Sequence, residues 1–184
     1  IHEDLCWPEF STGSPCVAAC PIQMDIPNYV IAIAEGNFDK ALSIIRETNP
    51  LPSVCGRVCH HPCESVCNRK VVDEAVAIEW LKRFAVERGE EEAPSPIPVT
   101  QEDRIAIIGS GPAGLTAASD LNQKGYRTDI FEASAEPGGM LMSSIPDYIL
   151  PKEAVKAAVS RLKPLAVRIH TTVRIRRVLS LPWP

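Results

Sequence analysis

The sequence predicts an all-α, cysteine-rich N-terminal domain followed by an α/β domain with a parallel, Rossmann-like sheet. Three observations carry this reading. Six of the seven cysteines fall in two tight groups: Cys16 and Cys20, then Cys55, Cys59, Cys63 and Cys67. An acidic stretch with three prolines, GEEEAPSPIPVTQED at 89–103, then breaks the pattern. Immediately after it comes IAIIGSGPAG, residues 105–114, an apolar strand running into a glycine-rich turn. The expected division is 1–89 helical, 90–103 linker and 104–184 α/β.

In the first part, Asp25–Glu35 reads as a short helix. Pro27 lies in its first turn, Val30, Ile31, Ile33 and Ala34 supply apolar positions, and Gly36 is the stop. Asn37 caps a second helix over Phe38–Glu47, which ends at Asn49-Pro50 because the residue before proline avoids helical geometry. Pro52, Gly56 and Pro62 break the second cysteine group into pieces. Asp73 caps a third helix that runs to Arg88, with Val76, Ala77, Trp80, Leu81 and Phe84 as its apolar stripe and Gly89 as its stop. In the second part, Arg104–Ile108 is a buried strand and Pro112–Lys124 a helix with Leu115, Ala118 and Leu121 facing inward. Arg127–Glu132 is a strand, Lys152–Leu162 a helix and Ala166–His170 a third strand. A strand, a helix and a strand in that order indicate a parallel sheet.

Composition excludes several classes. The 184 residues are 45% hydrophobic but only 5% aromatic, so base-stacking platforms for single-stranded nucleic acid have little support. A net charge of −4 without a basic run argues against nucleic-acid binding. No apolar run reaches membrane-spanning length. The first residues, IHEDLCWPEF, lack the signature of a secretory leader, so a cytoplasmic protein is expected. In that compartment thiols bind metal more often than they form disulfides, and an odd cysteine count leaves one thiol over in any all-disulfide scheme.

Gly109, Gly111 and Gly114 form GxGxxG at the required place between strand and helix. The first glycine permits the turn, the second lets backbone approach a pyrophosphate, and the third lets the helix pack on the strand. The helix N-terminus, at Pro112 and Ala113, offers N–H groups and the positive end of the helix dipole. Glu132 ends the second strand, where an acidic residue takes ribose hydroxyls. Gly138-Gly139 offers a second close approach, and in two-dinucleotide-binding flavoproteins such a pair accompanies FAD. FAD is therefore expected here rather than NAD. Four thiolates suit a [4Fe–4S] cluster or tetrahedral zinc. Cys20-Pro21 is similar to the Cys-Pro end of bacterial ferredoxin cluster runs, which favours iron. His60 and His61 read as solvent-facing loop residues, His170 as isolated and Trp80 as core. Lys82 and Arg83 read as the polar side of their helix, though one of them could offset cluster charge.

Longer stretches are similar to a known family: CVAACPIQMDIPNYV, GNFDKALSIIRETNPLPSVCGRVCHHPCESVCNR, AVAIEWLKRFA, IAIIGSGPAG and EPGGM. Together they resemble the small (beta) subunit of bacterial glutamate synthase. Relatives are the N-terminal part of dihydropyrimidine dehydrogenase and the large subunit of ferredoxin–NADP transhydrogenases. The resemblance covers residues from about 14 to 175. It implies a helical domain with two [4Fe–4S] clusters, then an FAD domain carrying an inserted NADPH domain, with electrons passing between NAD(P)H, FAD, clusters and a partner subunit. By that resemblance Cys16 and Cys67 serve one cluster and Cys20, Cys59 and Cys63 the other. The family's last ligand of the second cluster is often Gln or Glu, where this chain has Lys82. One cluster is expected, and two only with altered ligation, for which Cys6 and Cys55 are the spare thiols. Gly109, Ser110, Gly111, Pro112, Ala113, Gly114, Glu132, Gly138, Gly139 and Met140 fall in the FAD-contacting stretches, and Ile175 near a later contact to the adenine end. Ile149 stands where the family often has a basic residue. The second GxGxxG is absent, so a truncated chain with an incomplete FAD domain is expected. The expected function is an electron-transfer subunit or fragment of an NAD(P)H-dependent FAD/[4Fe–4S] oxidoreductase. No catalytic acid, base or nucleophile stands out, because the cofactors carry such chemistry. The competing reading is a non-enzymatic interaction module with a structural zinc knot and a degenerate nucleotide fold.

Overall fold

The computed structural model describes residues 13–90 and 97–175. The chain divides into two compact units, Ile1–Glu92 and Ala93–Pro184.

The first unit is helical. Its elements are α1 (Pro15–Ala19), α2 (Ile26–Ala34), α3 (Phe38–Thr48), α4 (Pro52–Val58), α5 (Pro62–Ser65), a 3-10 turn (Asn68–Val71) and α6 (Ile78–Arg88). Local chemistry places most of these boundaries. The Asp25 carboxylate accepts the Asn28 N–H, and the Asn37 side chain accepts the Lys40 N–H, so both begin their helices as N-caps. Gly36 has φ +77°. It donates to Ile33 while Asn37 donates to Ala32, the paired bonds that close a Schellman end. α2 packs on α3, α3 and α4 pack on α6, and α1 packs on α5. The core they enclose includes Met24, Ile26, Tyr29, Val30, Ile45 and Ile78, and Cys63 lies within it.

Three expectations for this unit change. α6 begins at Ile78 after Ala77, and Asp73 instead pairs with Arg69 across a bidentate contact of 2.7 Å. Its buried face carries Ile78, Lys82 and Ala85, whereas Trp80 is 65% exposed and Phe84 also lies outside the core. Of the expected apolar stripe, Val76 and Leu81 do pack against the core, whereas Trp80 and Phe84 are exposed. Gly56 does not break the cysteine stretch. It lies inside α4, where an added Cβ would stand 3.1 Å from the Arg83 Cα. Its role is to let α4 and α6 cross closely.

The second unit begins with β1 (Arg104–Ile108), α7 (Pro112–Gln123) and β2 (Arg127–Phe131). It continues through α8 (Met140–Ser143), α9 (Lys152–Ser160) and β3 (Val167–His170). The strands form a parallel sheet in the order β1-β2-β3, with Arg104 opposite Arg127 and Thr128 opposite Val167. α7 packs across β1 and β2 with Leu115 and Ala118 fully buried. Its C-terminus repeats the Schellman pattern: Gly125 donates to Asn122 and Tyr126 donates to Leu121. β1, expected to be a buried strand, has only exposed and half-buried residues. Its burial alternates, and Ile108 is 61% exposed.

Among the described residues no helix is long and apolar enough to cross a membrane.

Candidate functional site

The thiols come from four short elements. Cys16 sits in α1 and Cys20 directly follows it. Cys55 is in α4 and Cys59 is its C-terminal cap. Cys63 is in α5, and Cys67 precedes the 3-10 turn. None of these six cysteines is in a disulfide with another described residue, and Cys6 lies outside the described residues. Several are brought together electrostatically. Tyr29 is completely buried, and its hydroxyl donates to the Ile78 carbonyl at 3.1 Å. Burial raises its pKa, and the neighbouring thiols Cys63, Cys16 and Cys20 raise it further. Burial raises the Cys55 thiol, and its neighbours Cys59 and Cys20 raise it further. The packing of α1 on α5 thus draws the first cysteine pair towards the second group.

Burial pushes the Cys63 thiol up to about 11, against the opposing pull of the Glu64 backbone N–H and the Lys82 ammonium. Burial also raises Cys55, with Lys82 and a hydrogen bond from Asn49 working the other way. Cys59 is arranged differently. Its Sγ accepts the His61 N–H at 3.3 Å across a turn in which His61 has φ +40°. The His61 ring fixes that left-handed turn, with Nδ1 at 2.8 Å from the Glu79 carboxylate. Cys67 faces Arg69, whose pKa it helps to raise. Among the described residues no group of three or more His, Cys, Asp or Glu forms a ready single-ion site. The donor set itself is sulfur-rich, half-buried and drawn from loops and helix ends, and that chemistry fits an iron–sulfur group.

The glycine fingerprint in the second unit has the geometry its sequence implies. Gly109 has φ +93°, and neither a Cβ there nor one at Gly111 would meet any atom within 4 Å. No described residue fills the space a Cβ would take at these two positions, and a bound pyrophosphate requires such open backbone. Gly114 is the opposite case: a Cβ there would overlap the Gly109 carbonyl oxygen. Gly111 caps α7 with no side-chain hydrogen bond, leaving the helix N-terminus free of a protein cap. These residues fit a dinucleotide.

Glu132 and Ser110 form the hub of this loop. The Glu132 Oε2 accepts both the Ser110 N–H at 2.9 Å and its hydroxyl at 2.6 Å, while Oε1 accepts the Ser134 N–H at 2.8 Å. The Ser110 hydroxyl oxygen also accepts the Gly138 N–H at 3.0 Å. Burial alone would raise the Glu132 pKa, but these donors hold it down at about 2. Gly139, at φ +54°, brings its backbone onto Gly111, where a Cβ would come within 2.9 Å of the Gly111 Cα. The glycine pair therefore braces the fingerprint loop. Met140 opens α8 and is exposed, as is Ile175, the last described residue.

Sequence reasoning missed Tyr29 and the bracing role of Ser110, because neither belongs to a recognisable spacing. It also passed over His170. That ring stacks on Phe131 at 5.0 Å and lies 2.7 Å from Asp129, which in turn meets Arg104 at 2.7 Å.

Comparison with known proteins matches both units. Residues 10–93 match the family described as dihydropyrimidine dehydrogenase domain II, 4Fe-4S cluster. Residues 107–165 match the NAD(P)-binding Rossmann-like domain family. The chain is 44% identical over 173 residues to the NADPH-Fe(3+) oxidoreductase subunit beta of Geobacter sulfurreducens, covering 91% of this chain and 26% of that protein. It is 38% identical over 186 residues to the NADP(+)-dependent formate dehydrogenase subunit beta of Moorella thermoacetica, covering 88% of this chain and 26% of that protein. It is also 38% identical over 173 residues to the NAD-dependent dihydropyrimidine dehydrogenase subunit PreT of Escherichia coli, covering 91% of this chain and 42% of that protein. The chain thus spans less than half the length of each of these relatives. A segment matched to a 4Fe-4S cluster family is thus followed, in one chain, by a segment matched to the NAD(P)-binding Rossmann-like family, and across both the chain is similar to beta subunits of NADP(H)-linked oxidoreductases.

Proposed function

We propose that this chain is the electron-transfer portion of an NAD(P)H-dependent oxidoreductase that carries FAD and [4Fe–4S] groups. The carrying observation is the joining, in one chain, of a segment matched to a 4Fe-4S family with a Rossmann-like segment in which the Cβ positions of Gly109 and Gly111 meet no neighbouring atom. A flavin bound there would exchange hydride equivalents for single electrons, and an iron–sulfur cluster would carry those electrons one at a time.

The chain's own residues do the holding. Cys16, Cys20, Cys55, Cys59, Cys63 and Cys67 are the thiols available to ligate a cluster, with Cys6 as a further candidate. Tyr29 is buried in the core beside this thiol group. The Gly109–Gly114 loop receives the pyrophosphate, braced from behind by Glu132, Ser110 and Gly138, while Gly139, Met140 and Ile175 line the same cofactor. The named relatives point to NADPH or NADH as donor in the whole protein and to further subunits as partners. We place this protein in the cytoplasm, with no role in nucleic-acid binding or membrane insertion.

Anaerobic purification followed by iron, sulfide and flavin analysis tests the proposal. The expected result is iron and sulfide near about four or eight per chain, with stoichiometric FAD. Zinc alone, with no flavin, would instead establish an interaction module with a structural zinc knot.

A further inference from the structure

One face of the parallel sheet gathers positive charge at the N-terminal ends of its strands. Arg104 stands directly opposite Arg127 in the β1–β2 register, and Arg168 stands opposite Asp129 in the β2–β3 register. Arg127 and Asp129 are two apart on β2 and so share a face. Arg104 meets Asp129 at 2.7 Å, which places it on that face as well. Like charges directly opposite on neighbouring strands are destabilising. A general excess of basic residues does not explain the placement, because the chain has 23 acidic residues against 19 Lys and Arg.

These side chains surround a cavity of about 380 Å³, which Lys163 joins from the loop after α9. Asp129 is the sole carboxylate among its described walls, and both of its oxygens are engaged, Oδ2 by Arg104 and Oδ1 by His170. Among the described residues Arg127, Lys163 and Arg168 have no ion pair. Three positive charges are therefore left around one small cavity.

We infer that this cavity is a binding site for a phosphate-bearing small molecule, held by Arg127, Lys163 and Arg168. Three unpaired cations match a multivalent anion better than a monocarboxylate, and a phosphate monoester carries about −1.5 to −2 at neutral pH. The guanidinium fork suits phosphate oxygens bidentately. The volume is that of a small-ligand site. A second cavity of about 420 Å³ continues along the same face to Phe131 and His170, whose stacked rings offer an aromatic surface to an organic portion of the ligand. The site is separate from the glycine loop. Arg104 opens β1 and Gly109 follows its other end, roughly 15 Å on at about 3.3 Å per residue. The inference is independent of the function proposed above.

The test titrates the full chain with sodium pyrophosphate at constant ionic strength, by calorimetry and by NMR of the arginine side chains and the His170 ring. Saturable binding that shifts Arg127 and Arg168 is expected. Arg127→Gln combined with Arg168→Gln should weaken it by about tenfold or more. Lys163→Gln, outside the sheet, should weaken it several-fold and keeps the test decisive if the double variant does not fold. Gly111→Ala should leave the arginine shifts unchanged. Adenosine diphosphate then separates the sources: shifts that extend to His170 assign a nucleotide, shifts confined to the arginines show recognition of the phosphate alone, and either upholds the site. The inference is overturned if pyrophosphate does not bind saturably, if both the double variant and Lys163→Gln bind it as wild type does, or if sodium acetate produces the same shifts.

Discussion

In the Rossmann-like unit, the cofactor loop is fixed by bonds that the protein makes to itself. One carboxylate, Glu132, collects three donors from Ser110 and Ser134, and the Ser110 hydroxyl collects a fourth from Gly138. These bonds shape the loop from within the chain. The helical unit is arranged the other way round. Its thiols sit on helices of four to seven residues and on the caps between them, and burial pushes the Cys63 thiol up to about 11. Elements this short do not hold themselves together by helix propensity. What gathers them is the small core around Tyr29 and whatever the thiols bind. One loop is fixed by hydrogen bonds within the chain; on the function proposed above, the thiol elements of the other unit are completed by the cluster they hold.

Removing the ligand should separate the two most sharply. Substituting Cys59 and Cys63 together by Ser is expected to abolish iron uptake and to cost the helical unit several kcal/mol, enough to remove its cooperative melting transition. The Rossmann-like unit should keep its own transition, read by calorimetry and by limited proteolysis. Equal collapse of both units would remove the contrast between them.

The glycines of the fingerprint allow a second, smaller contrast inside one loop. Gly114→Ala forces a methyl group onto the Gly109 carbonyl and should destabilise this unit by about 3 kcal/mol. Gly111→Ala meets no protein atom and should leave stability within about 0.5 kcal/mol of wild type. It should nevertheless lose bound dinucleotide, measured as flavin retained after gel filtration. Loss of stability without loss of flavin at Gly111 would move the cofactor elsewhere.

The Glu132 hub sets a pH signature for the Rossmann-like unit. Its folded pKa of about 2 lies below the usual carboxylate value of 4.5. The contribution is therefore complete above about pH 4.5 and disappears as pH falls through about 2. Glu132→Gln turns an amide donor towards either Ser110 or Ser134 and should cost on the order of 2–3 kcal/mol at neutral pH. It should also flatten the acid limb of the unfolding curve. An acid limb of the same steepness in the Gln variant would count against the hub.

The mildest expected effect is that of Tyr29→Phe. It deletes one buried hydrogen bond to Ile78 and should lower helical-unit stability by about 1 kcal/mol, seen as a shift in denaturant midpoint.

The same contrast explains what was legible in the sequence. The βαβ arrangement, the two glycine-ended helices and the fingerprint could be read directly because each is a local rule: a strand, a turn with positive φ, a cap. The helix ends at Gly36 and Gly125 close by the same pair of bonds, and both were placed correctly. The cysteine unit resisted because its contacts are set by packing. Trp80 looked like core and is exposed, while Lys82 looked like surface and is buried, since the inner face of α6 is decided by where Gly56 lets α4 cross it. Tyr29 carries no motif at all, yet it is the side chain around which three thiols gather. The very short α1, α5 and α8 left no periodicity to read.

The central claim is that this chain joins a redox-active cluster to a dinucleotide fold. Anaerobic titration with dithionite, followed by absorbance and low-temperature electron paramagnetic resonance, tests it most directly. The account predicts a broad brown absorbance that bleaches on reduction, with a paramagnetic signal characteristic of a reduced iron–sulfur cluster that is lost when Cys59 and Cys63 are replaced. A colourless chain with no reducible chromophore and no signal, prepared under the same conditions, would contradict it.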